Sequence, residues 1–111
     1  MLRHSVTAIV ARNEPWSGAV ATEPYEAGWA TEAVIFVRAL SVKKIPGNAK
    51  MRVQISPDGM NWVDEGTRFA LPTKPQAVTF AKVREFGNWL RIVTELPKGA
   101  SMKAVVTLQL K

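Results

Sequence analysis

The chain has 111 residues, no cysteine, 47% apolar and 22% charged residues, and a formal net charge of +6. That length supports a single hydrophobic core, hence one domain over 1–111, and the composition excludes a chain that stays disordered. Disulfides, thiolate zinc sites, iron–sulfur clusters and cysteine nucleophiles are excluded, and no apolar run reaches the roughly 18 residues that a membrane-spanning helix needs.

A first strand is predicted over 3–12. Its apolar stretch runs only from Val6 to Ala11 and is closed by Arg12, too short for the greasy segment of an export signal. Synthesis in the cytoplasm is expected, with incorporation into a virion as a route outward. The one histidine, His4, lies at this end. A Ser/His/Asp triad or a multi-histidine metal site therefore has too few members.

Residues 13–30 read as the one long irregular connection, interrupted by Pro15, Gly18, Pro24 and Gly28 and carrying a short strand over 18–22. Within 13–32 lie Glu14, Glu23, Glu26 and Glu32 but no Lys or Arg, so this segment is acidic and the rest of the chain strongly basic. Trp16, Tyr25 and Trp29 share the segment; such rings stack on sugars, anchor protein interfaces or plug the open end of a sandwich. The site expected here comprises Trp16, Glu23, Tyr25, Glu26 and Trp29. An acidic, aromatic arm either docks on the basic body of a neighbouring subunit or folds back on its own. Glu23 and Glu26 flank Tyr25 and could be weighed as an acid and base pair, but loop carboxylates are ordinarily solvated.

The longest predicted strand is 31–43. Its continuous Ala33-Val34-Ile35-Phe36-Val37 implies burial on both faces, and its length implies a strand that crosses the whole sheet or carries a bulge. In the strand 50–56, Met51, Val53 and Ile55 alternate with Lys50, Arg52 and Gln54, one set inward and the other toward water. Further strands are predicted over 60–65, 67–71, 76–83, 88–96 and 102–110. In these, Val78 and Phe80 alternate with Thr79 and Ala81, Leu90 and Ile92 with Trp89 and Arg91, and Met102 to Leu110 form an inward row. Trp62 and Trp89 are expected in or just beneath the core. Lys50, Arg52, Arg91 and Lys103 would form a basic docking face, which without interleaved aromatics or an arginine-rich tail does not point to nucleic acid. Asp58, Asp64 and Glu65 could be considered for calcium, but they lack a dense ligand loop, and no metal or cofactor is expected.

The most distinctive local pattern is Ser56-Pro57-Asp58-Gly59-Met60-Asn61-Trp62, a hairpin in which Asp-Gly supplies positive φ and Pro57 sets the entry. It resembles the Ser-x-Asp-Gly-x-x-Trp hairpin of discoidin-like, galactose-binding-like sandwiches. Phe86-Gly87-Asn88-Trp89-Leu90-Arg91-Ile92 looks like their aromatic-x-Arg-Ile strand. Similar hairpins occur in small β proteins of phage particles and tails, and the resemblance covers about 40 of the 111 residues. It implies a sandwich but carries over no ligand-binding residue. The pattern also resembles the Asp-box hairpin of sialidase-type propellers, though one copy with Gly59 directly after Asp58 does not make a propeller.

The expected fold is all-β: an antiparallel β-sandwich of 8–9 strands, jelly-roll or galactose-binding-like. The expected function is non-enzymatic. It is a structural or assembly protein that self-associates as a homo-oligomer or attaches to other subunits of a larger particle, with a phage virion or tail component leading. The alternative is a carbohydrate-binding module that meets glycans through its loop aromatics.

Overall fold

The computed structural model describes residues 5–111; His4 and the start of the predicted strand 3–12 lie outside them. The described chain forms nine strands: β1 Val6–Trp16, β2 Ala19–Ala21, β3 Tyr25–Glu26, β4 Glu32–Lys43, β5 Lys50–Ser56, β6 Val63–Ala70, β7 Val78–Arg84, β8 Trp89–Glu95 and β9 Ser101–Leu110. They make two antiparallel sheets packed as a sandwich. Sheet A has the order β1-β9-β4-β7; sheet B has the order β2-β8-β5-β6, with β3 also on β8.

The period-two patterns set the core. Met102, Ala104, Val106, Leu108 and Leu110 of β9 are all buried, as are Met51 and Val53 of β5 and Leu90 and Ile92 of β8. With Ile35 and Val37 of β4 they form one cluster between the sheets. The long strand β4 lies inside sheet A and also bulges between Ala39 and Ser41.

Four local expectations are corrected. First, β1 does not stop at residue 12 but runs to Trp16. Asn13 takes a φ of 54°, which asparagine tolerates, at one of two bulges, and Pro15 is accommodated because β1 pairs only with β9. Second, 60–65 and 67–71 are not two strands. One strand, β6, passes through Gly66 at a φ of 114° by bulging opposite Val53, between the pairs Arg52–Arg68 and Gln54–Asp64. Third, half of the segment 13–32 is strand. After crossing between the sheets at Gly18, it lays β2 and β3 along one edge of β8. Between them, Thr22 donates its backbone N–H to the Ile92 carbonyl and accepts the Ile92 N–H on its hydroxyl. Fourth, β7 is in the opposite phase. Ala81 and Val83 point inward, whereas Val78 and Phe80 stand on the outer face with Lys82 and Arg84.

Candidate docking surfaces

The hairpin after β5 is built from its own polar groups. The Asp58 carboxylate accepts the backbone N–H groups of Asn61 (2.8 Å) and Met60 (2.9 Å), the Asn61 side-chain amide (2.7 Å) and the Ser56 hydroxyl (2.9 Å). Ser56 Oγ in turn accepts the N–H groups of Gly59 and Asp58. Gly59 has a φ of 79°, and a Cβ there would stand 3.2 Å from the Trp89 ring, so the loop needs glycine both for its backbone and for the indole lying against it. The motif is thus a self-capping loop, with its side-chain oxygens engaged in holding the turn.

These hydrogen bonds, led by that from the Asn61 N–H, hold the Asp58 carboxyl well below the usual carboxylate range. Since the folded value is the lower one, the stabilisation is complete above the unfolded value of about 3.9 and drains away as pH falls below it. Asp58→Asn should reduce that acid-side slope, leaving the part contributed by other lowered carboxyls such as Asp64, with no new pH dependence above pH ~5, as read from urea melts across pH.

On the outer face of sheet B the polar groups tie one another down. Arg52 Nη1 donates to Asp64 at 3.2 Å, Gln54 Nε2 donates to the other Asp64 oxygen at 3.0 Å, and Arg91 Nε donates to Gln54 Oε1 at 2.9 Å. The Arg91 guanidinium lies 4.2 Å from the centre of the Trp62 ring. The Gln54 amide above all, then the Arg52 charge, hold the Asp64 carboxyl below its usual range, and partial burial lowers the Arg91 pKa. Trp62 and Trp89 are half-buried on this side rather than in the core. The expected basic face does not form as one surface: Lys50, Arg52 and Arg91 belong to sheet B, whereas Lys103 lies on β9 of sheet A, across the sandwich.

The residues expected in the acidic segment are also separated. Trp16, 4% exposed, points into the core where β9 begins, paired with Met102, and closes that end of the sandwich. Tyr25 is half-buried on β3, and Glu23 and Glu26 are exposed on either side of it. Trp29 is 50% exposed at the corner of a turn closed by the Ala30 N–H donating to the Ala27 carbonyl at 3.0 Å. Ala27 and Ala30 are both buried, so the turn that carries the indole is pinned from both sides.

The outer face of sheet A carries what sequence reading missed. Ile9, Thr107, Phe36 and Phe80 lie in one cross-strand row over β1, β9, β4 and β7; Val105, Arg38 and Val78 lie in the next. Ile9 is 47%, Val78 53% and Phe80 56% exposed, and the Phe36 and Phe80 rings stand 6.2 Å apart between centroids. The result is an apolar band spanning every strand of the sheet. A signal for it was present: Lys82 and Arg84 must face water, and in a strand Val78 and Phe80 share their side.

No protein-family model matches this chain, and no curated protein matches it.

Proposed function

We propose that this protein is a non-enzymatic structural module that self-associates within a larger particle, in the manner of a phage virion or tail component. One observation carries the reading: an apolar band runs across all four strands of the outer face of sheet A, and none of the described residues lies over it. Exposed contiguous apolar surface of this kind marks interaction sites, and a continuous apolar run in a central strand such as β4 is the pattern of a strand covered on both faces. The hairpin's likeness to those of small phage β proteins is what suggests the particle. A carbohydrate-binding reading has less support, because it is left with Trp29 and the half-buried Tyr25 once Trp16 is in the core.

Analytical ultracentrifugation tests the reading. The wild type should assemble reversibly with rising concentration, and Phe80→Asp should sediment as a monomer while melting within about 1 kcal/mol of the wild-type stability, as an exposed substitution does. A wild type that stays monomeric at high concentration and low salt sinks self-association.

A further inference from the structure

We propose that the apolar band of sheet A is occupied by the Trp29 corner of a second copy, so that copies join head to tail through two different surfaces. This rests on the self-association proposed above and names the two surfaces that meet.

The charges select this occupant. Arg38 sits within the band, and Lys82 and Arg84 continue it along β7; all three are exposed and have no ion-pair partner among the described residues. A groove of about 350 Å³ at the Glu32 end of the same face is lined by Lys82, Arg84 and Lys111, of which Lys111 is paired with Glu32. Stacking two such faces on one another would bring like charges together as water leaves, which disfavours a two-fold face-to-face dimer. The occupant should be apolar and acidic.

The corner around Trp29 is such a surface. Asp58, Asp64 and Glu65 are engaged in hydrogen bonds around their own hairpin. Glu23 and Glu26, by contrast, are exposed beside Tyr25 and Trp29 in a stretch without cations. The spacing also fits. Phe80 and Lys82 are one pleat repeat apart on the outer face of β7, about 7 Å, and the three residues from Glu26 to Trp29 reach at most about 10 Å. One indole can therefore lie on Phe36 and Phe80 while its neighbouring carboxylate meets Lys82 or Arg84. Because the turn at Trp29 is already fixed by buried Ala27 and Ala30, docking orders little further chain. A contact between two unlike surfaces does not satisfy itself in a pair, so assembly proceeds to rings or open filaments.

Complementation between two damaged variants tests this. Phe80→Asp keeps the Trp29 corner and loses the band; Trp29→Ala and Glu26→Lys keep the band and lose the corner. Each corner variant should weaken assembly by about thirtyfold or more, the loss expected for an anchor tryptophan or its paired charge. Mixing Phe80→Asp with Trp29→Ala should then give a capped one-to-one complex, and Lys82→Glu should restore assembly to Glu26→Lys. Circular dichroism would confirm that each variant is folded. Corner variants that assemble like the wild type overturn the head-to-tail contact while leaving self-association standing, and so do two folded monomeric variants that fail to complement. A monomeric wild type overturns both.

Discussion

Trp16→Ala should cost about 3–5 kcal/mol of folding stability, the range for truncating a buried large aromatic. For a domain of this size that is a large share of a total of about 5–15 kcal/mol, and should lower the melting temperature by more than about 10 °C. The reason is its place at the end of the sandwich. The indole is 4% exposed and pairs across β1 and β9 with Met102, beside Val42 of β4. Removing it opens the core where the chain crosses from sheet A to sheet B, and neighbours fixed in two sheets can collapse only partly into the space. Thermal melts read the loss directly. A cost below about 1 kcal/mol, as at an exposed position, would show that the ring is not held in the core.

Phe86→Ala should be comparably severe, again about 3–5 kcal/mol. Phe86 is among the largest fully buried side chains, although it stands between β7 and β8 in a segment that reads as a turn. The backbone around it explains how a loop residue reaches the core. Glu85 and Gly87, on either side, have positive φ values of 52° and 77°, which turn the chain so that the ring points inward. Urea denaturation of Phe86→Ala, compared with Phe86→Leu, measures the effect; the leucine should recover a good part of it because it refills most of the volume. Equal and small losses in both would place the ring at the surface.

How much of this was legible in the sequence depended on whether one strand's own pattern decided the matter. In β9 and β5 alternating residues differ sharply in polarity, so Met102 to Leu110 and Met51 to Val53 declared their inward face without reference to any neighbour. In β7 the stretch Val78 to Ala81 does not separate the two phases by itself; Lys82 and Arg84 further along decide it, in agreement with the register with β4, where Ala81 faces Ile35 in the core and Phe80 faces Phe36 outside it. The bulges were hidden for a similar reason. Asn13 with Pro15, and Gly66, carry the same residues that end strands elsewhere, and only pairing with β9 and β5 shows that they bend a strand without ending it. The acidic segment was legible in charge but not in path. Its short strands are held by backbone hydrogen bonds to β8 and by Thr22, which composition does not reveal. The band on sheet A was half legible: the continuous run in β4 implied cover on both faces, and the described chain supplies it on one.

The position of β9 has a consequence for the order of events during synthesis. It lies between β1 and β4, so the strands made first and fourth have no edge in common until residues 101–110 have left the ribosome. Sheet A therefore cannot close cotranslationally from its N-terminal side, and a nascent chain must keep the inner faces of β1 and β4 away from other chains while it waits. Pairings this remote in sequence make folding slow. Lys82 and Arg84, on a β7 that pairs only with β4, place charge on an edge where a waiting chain is most open to pairing with a stranger.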